Sequence, residues 1–218
     1  MTKARTAAAS RDGVRPAYQQ RSRDQRDRLL TAGERVFAQA GFWEAHVTDI
    51  ARLAGCSVGG FYRRFADKEA FFFALQADMA ARAEANVGGF FEDPACRTDP
   101  LHQVFERLAR RSARTIKAIE GYYRALFELS LRGHDVWPPM RRLEAIQAGL
   151  VADLLRARGI PVDVRRQAAA QLALRLINVQ IISTMLHGAG PFDIDDPRLH
   201  EELGLMMARY LELPAGES

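Results

Sequence analysis

Three consecutive side chains, Tyr62, Arg63 and Arg64, place a hydroxyl and two guanidinium groups near the end of the stretch 46–65, HVTDIARLAGCSVGGFYRRF. Donors of this kind suit charge-assisted bonding to a polyanion or to the acceptor edges of bases, not bond-making chemistry. Phe61 and Phe65 lie one helical turn apart and turn inward, which leaves Val58, Gly59, Gly60, Tyr62, Arg63 and Arg64 for solvent or a groove. Glycine in a helix costs up to ~1 kcal/mol relative to alanine, so Gly59 and Gly60 at a helix start indicate that something must approach the backbone closely. A phosphate or a base edge suits that position.

Such a surface must be carried by short, sharply joined helices. An apolar stripe at Val47, Ile50, Ala51 and Ala54 ends in Gly55, which can take the left-handed backbone of a tight turn. Cys56 then serves as a small apolar plug and Ser57 as the cap of the next helix. Residues 46–65 therefore read as a helix-turn-helix. Upstream, a stripe at Leu29, Gly33, Val36, Phe37 and Ala40 predicts an amphipathic helix from Arg21 to a stop at Gly41. Downstream, Asp67 caps a long helix with Phe71, Phe72, Leu75 and Met79 on one side, running at least to Ala85. Residues 21–85 form the candidate DNA-binding domain, and residues 1–20, with Gly13 and Pro16 and no apolar period, read as a flexible basic arm.

Charge supports this division. Residues 1–68 hold 13 Lys/Arg against 7 Asp/Glu, whereas residues 69–218 hold 18 against 20, so the positive charge is concentrated at one end. An architectural DNA-binding protein would spread basic charge along the chain instead. The other alternative, a helical enzyme, lacks HExxH, GxSxG, a phosphate-binding glycine loop or any carboxylate–histidine metal pattern, so the expectation is no enzyme and no cofactor. Cys56 and Cys96 have neither a CxxC partner nor a nearby histidine pair, which predicts no disulfide framework and no metal. The most apolar run, Leu172 to Leu186, is broken by Arg175, Asn178 and Gln180, and Ala7–Ala9 gives way at once to Ser10, Arg11 and Asp12. Neither a membrane span nor a secretory leader is expected, and the predicted location is cytoplasmic.

Beyond a break at Gly88-Gly89 and residues 92–100, everything reads helical: roughly 101–120, 122–132, 137–158, 162–187 and 197–213. No alternating strand pattern appears, so the fold class is all-α, with a three-helix reader followed by a larger helical domain over 86–218. Helix 162–187 is apolar nearly all round and must be covered twice, once by its own domain and once by a symmetry mate. Candidate seam residues are Leu172, Leu176 and Ile182, with Leu199, Leu203 and Met206 of the last helix. Phe105, Tyr123, Phe127, Trp137 and Met140 are candidates to line an apolar pocket, although such side chains also fill ordinary cores. Gln171, Arg175 and Asn178 share one face of the apolar helix and serve either a ligand's polar groups, the seam or solvent.

The run Ala54-Gly55-Cys56-Ser57-Val58-Gly59-Gly60-Phe61-Tyr62-Arg63-Arg64-Phe65-Ala66-Asp67-Lys68-Glu69 resembles the signature of the tetracycline-repressor (TetR/AcrR) family, small-Gly-apolar-Ser, Tyr-x-x-Phe, then Lys-Glu. The similarity covers about residues 24–84. It implies that Ser57, Gly59 and Tyr62 contact the DNA backbone, that Lys68 binds phosphate, and that Thr48, Val58, Gly60 and Arg63 touch bases, with Arg64 serving either. It departs at His46, where relatives usually carry a Ser or Thr helix cap, and at Arg64, where many carry histidine. The resemblance further implies a homodimer on a palindromic operator of double-stranded DNA, acting as a repressor that answers to a small-molecule effector, here apolar or cationic.

Overall fold

The computed structural model describes residues 16–188 and 190–213, with side chains from Gln20 onward. Its helices are α1 (Pro16–Ala40), α2 (Val47–Leu53), α3 (Val58–Tyr62), α4 (Lys68–Asn86), α5 (Ala95–Thr98), α6 (Leu101–Ala118), α7 (Glu120–Ser130), α8 (Pro138–Ala157), α9 (Val164–His187) and α10 (Pro197–Tyr210). A single 3₁₀ turn, Val87–Phe90, follows α4, and no strand occurs among the described residues.

Three boundaries differ from the sequence reading. Helix α1 starts at Pro16, so residues 16–20 are helical and not part of a flexible arm; the remainder of that arm, 1–15, lies outside the described residues. Proline suits the first helical position, and a polar helix carries no apolar period by which to recognise it. The loop over 92–100 contains α5, where the Asp93 carboxylate accepts the Ala95 N–H and Cys96 is buried. Gly121, expected to break a helix, lies inside α7. A β-carbon there would come within 2.7 Å of the Ala38 carbonyl carbon, so this glycine permits α7 to rest directly on the α1 backbone.

An aromatic cluster holds the N-terminal helices on the rest. Phe72 of α4 packs edge-on against Phe37 (5.0 Å between ring centroids) and Phe42 (5.7 Å), and stacks on Tyr122 of α7 (5.5 Å). Phe61 and Phe71 meet below the α2–α3 corner at 5.0 Å. In the C-terminal part α10 lies tightly along α6: a β-carbon on Gly204 would stand 2.6 Å from both the His102 carbonyl oxygen and the Glu106 nitrogen. Leu199 and Leu203 are consequently buried in the chain's own interior and are not available to a partner, and Phe105 of α6 is fully buried in the same layer.

Helix α9 is long and apolar enough to cross a membrane by length and composition alone. One face, including Ala170, Ala173, Leu174, Ile177 and Ile181, is buried in the core, while Leu172, Leu176 and Val179 stand roughly half exposed along another.

His200 of α10 is buried, and that burial holds its pKa below the usual 6.5 against opposing contributions from the Ile194 backbone, Glu106 and Asp195, with Arg110 acting in the same direction as burial. An unfolded chain then binds more protons than the folded one as pH falls through about 6.5, so acid favours unfolding. Denaturant titrations at descending pH are expected to show stability falling below about pH 6.5, and His200→Leu is expected to flatten that acid limb.

Candidate nucleic-acid interface and effector cavity

The corner between α2 and α3 is locked by backbone bonds. Gly55 adopts φ +66°, its N–H donates to the Arg52 carbonyl at 3.1 Å, and the Cys56 N–H donates to the Ala51 carbonyl at 3.0 Å. This pair of bonds is the Schellman arrangement, which needs a left-handed residue at Gly55. Ser57 then caps α3, its hydroxyl oxygen accepting the Gly60 N–H at 3.1 Å. His46 occupies the cap position of α2 with extended backbone and no side-chain cap bond; its backbone carbonyl instead accepts the Asp49 N–H at 3.0 Å and the Ile50 N–H at 3.2 Å.

Phe61 is fully buried under α3 and anchors it, while Val58 and Tyr62 are 38% and 52% exposed although large and apolar or amphipathic. His46, Thr48, Ser57, Gly59 and Arg63 are exposed on the same part of the molecule. Short, rigid and anchored from beneath, α3 presents a neutral-to-basic surface that can enter the major groove.

Three residues expected on that surface are elsewhere. Gly60 is buried, and a β-carbon on it would make only ordinary contacts, 3.4 Å from Gln25 Nε2 and from Ser57 Oγ and 3.5 Å from the Arg63 guanidinium. Arg64 turns away: its guanidinium donates to Ser22 Oγ at 3.0 Å and to Gln25 Oε1 at 3.1 Å, both on α1. Lys68 Nζ donates to the carbonyls of Phe42 (2.7 Å), Ala45 (2.9 Å) and Trp43 (3.3 Å) and sits 4.6 Å above the Phe42 ring. Burial pushes its pKa down, opposed by Glu128 and Glu44. The ammonium ties the α1–α2 connection to α4 instead of reaching for phosphate. Lys68→Met is expected to cost about 1.5 kcal/mol, the lower end for a charge-assisted bond, while the folded variant keeps the salt dependence of DNA binding. Denaturant melts and affinity measured at several salt concentrations check this.

The same connection is gripped from the C-terminal side. Glu128 of α7 accepts the backbone N–H groups of Phe42 (2.9 Å) and Trp43 (3.3 Å), and the Arg132 guanidinium lies 3.7 Å from the Trp43 ring centroid. Helix α7 also sends Tyr123 and Phe127 into a partly open cavity of about 680 Å³ lined mainly by α4, α6, α7, α8 and α9. One helix thus touches both the cavity and the reading domain.

Of the pocket candidates, Tyr123, Phe127, Trp137, Met140, Arg175 and Asn178 line this cavity. Phe127 and Trp137 meet edge to face at 5.0 Å, with Trp137 Nε1 donating to Ser130 Oγ at 3.1 Å. Phe105 is absent from the wall, fully buried about a turn before its first α6 residue, Leu108, and Gln171 is exposed one turn before Arg175 on α9. Burial pushes the Tyr123 phenol up to about 12 and raises the Glu144 carboxyl, against the lowering influence of Arg175, Asn178 and Arg141. Glu144 was not among the sequence candidates; its place four residues after Met140 on one helix face was the available signal. Nor were Glu34 and Arg82, which meet at 2.6 Å on the cavity wall. Glu34 belongs to α1 and Arg82 to α4, so the pair joins the wall to the reading domain, and no local pattern links residues so far apart.

Leu172 and Leu176 remain uncovered on α9; Ile182 is half-buried and faces the cavity, and Met206 is half-buried on α10. No group of three or more His, Cys, Asp or Glu stands placed for a metal among the described residues.

Residues 29–75 match the profile of the bacterial regulatory proteins of the tetR family. No curated protein matches the chain. Among solved structures, a chain from Mesorhizobium loti assigned to the tetR family of transcriptional regulators superposes with a TM-score of 0.69 at 18% identity, covering 87% of this chain and 97% of that one. A tetR-family transcriptional regulator from Streptomyces coelicolor gives 0.67 at 17%, covering 86% and 80%. GusR of Salmonella enterica gives 0.61 at 19%, covering 86% and 95%. At these identities the solved structures establish the shared fold.

Proposed function

We propose that this chain, a TetR-family DNA-binding transcriptional regulator by its N-terminal domain, works in the cytoplasm as a homodimeric repressor that leaves a palindromic operator when a small molecule fills its cavity, and that it has no enzymatic activity. The observation that carries the reading is the surface of α3: Val58, Tyr62 and Arg63 exposed together over a fully buried Phe61. Within it Arg63 is the candidate for bidentate bonding to guanine, and Ser57, Gly59, Tyr62, Thr48 and His46 are candidates for backbone and neighbouring base contacts.

Two copies are supported by the stripe of Leu172, Leu176 and Val179, an apolar face that a single chain leaves in water. Two identical heads then read half-sites about one helical turn, or a multiple of it, apart. An apolar effector is supported by the aromatic wall of Tyr123, Phe127 and Trp137; Glu144 is a carboxyl on that wall that a cationic group would use, against Arg82, Arg111, Arg141 and Arg175, which suit an anionic one. Effector binding would act on the reading domain through α7, whose Gly121 and Glu128 hold α1, and through the Glu34–Arg82 pair. Selection of bound sequences from random duplex DNA tests the core of the reading. Enrichment of a palindrome is expected; recovery of no sequence preference overturns it.

A further inference from the structure

Helix α1 is longer than its packing requires. It starts at Pro16, and among its described side chains, from Gln20 onward, the first that is buried is Leu29, so nine described residues precede the core. Between Gln20 and Arg28 only Ser22 and Gln25 are partly covered, and they are the two residues that Arg64 holds from the end of α3. Gln25 also borders Gly60 of α3, whose β-carbon, were there one, would lie 3.4 Å from its Nε2. A polar helical segment without a core-facing stripe persists where it bridges to something or binds a solvated partner.

The charges nearest that junction are basic. At about 100° per residue, Arg21 and Arg26 fall roughly 70° to either side of the line through Ser22 and Gln25 and Arg28 about 90°, whereas Asp24 and Asp27 fall about 130° and 170° away and Arg23 about 130° on the far face. Asp24 is engaged by Gln20 at 2.7 Å, and the Arg26–Asp27 pair, at 3.6 Å and exposed, is weak. The two guanidiniums therefore flank the edge that lies along α3, the helix read above as entering the groove.

We propose that the part of α1 ahead of Leu29 is a phosphate-binding arm, docked on α3 by Arg64, with Arg21 and Arg26 engaging the DNA backbone that borders the groove α3 enters. Arg64 is a positioning residue here, acting through Ser22 and Gln25. The occupant follows from charge complementarity: duplex DNA presents about one negative charge per 1.7 Å along its axis, and a basic helix edge of this length spans several of them. This inference rests on the DNA-reading assignment of α3.

The test uses the full chain on a site selected as above, with affinity measured from about 50 to 200 mM salt. Each phosphate contact contributes about 0.9 to the slope of log affinity against log salt. Arg21→Gln/Arg26→Gln is expected to flatten the slope by about 2 per bound protomer, so that over this range the parent loses roughly tenfold more affinity than the variant. Arg64→Met is expected to flatten it by more than one contact, and the triple variant to behave like the arm double variant, because undocking the arm already forfeits its contacts. An unchanged slope in the double variant overturns the proposal, as do additive losses, which would make Arg64 a DNA contact itself. Should Arg64→Met fail to fold, the exposed pair alone decides. Arg63→Ala on the same site separates the two levels: lost sequence preference there with an unaltered arm variant removes the arm and leaves the regulator.

Discussion

Replacing Phe72 with alanine is expected to cost about 3–5 kcal/mol, the range for removing a buried phenylalanine from a close-packed interior. The ring is fully buried, and it touches Phe37 of α1 and Phe42 just past the end of α1 on one side and Tyr122 of α7 on the other. A cavity left there cannot collapse easily, because its walls belong to three separate helices whose backbones meet elsewhere, at Gly121 and at Glu128. With typical stabilities of about 5–15 kcal/mol, a loss of this size brings the fold close to its threshold. Denaturant unfolding followed by helical circular dichroism measures it; a loss under about 1 kcal/mol would show that the two halves are not joined through this cluster.

The second large effect is at Gly121. Alanine is favoured over glycine within a helix by about 1 kcal/mol, so the substitution should stabilise wherever there is room. At Gly121 there is none, since the new carbon meets the carbonyls of Phe37 and Ala38, which are backbone and do not swing aside. Gly121→Ala is expected to destabilise by about 1–3 kcal/mol net and to weaken DNA binding by loosening α1. Gly149→Ala in α8, where nothing lies within 4 Å of the added carbon, is the control and should be neutral or stabilising. Equal behaviour of the two variants in thermal melts would contradict the close contact of α7 with α1.

The two variants also show what a chain can reveal before its structure is known. Signals confined to a few neighbours were legible: Gly55 and Ser57 announce the corner, and Asp67 caps α4 through the Ala70 N–H as its position suggests. Side chains whose partners lie far along the chain were not. Arg64 bonds Ser22, 42 residues away, and Lys68 bonds Phe42, 26 away, so both were read as facing DNA when each is spent inside the domain. Gly60 is buried in a setting that includes Gln25 of α1, which no local pattern shows. In the C-terminal half, Leu199 and Leu203 cannot be told from Leu172 and Leu176 by type or period. The close approach allowed by Gly204 decides it, sealing the first pair against α6 and leaving the second pair in water.

The pocket shows an intermediate case. Enrichment of aromatic residues in the central helices pointed to Tyr123, Phe127 and Trp137, which the fold brings to one wall, but Phe105, of equal apolarity, is buried about a turn ahead of Leu108, the first α6 residue on that wall. Glu34 and Arg82 carried no apolar signal at all, yet they join the cavity to α1 and give the proposed effector a short mechanical route to the reading head.

The assignment of α3 as the sequence-reading helix is tested most directly by Arg63→Ala, measured for affinity and for base preference on the enriched site. A loss of roughly 1–3 kcal/mol, with preference relaxed at one position in each half-site, is the predicted result. Unchanged affinity, or equal weakening on all sequences with base preference intact, would contradict it.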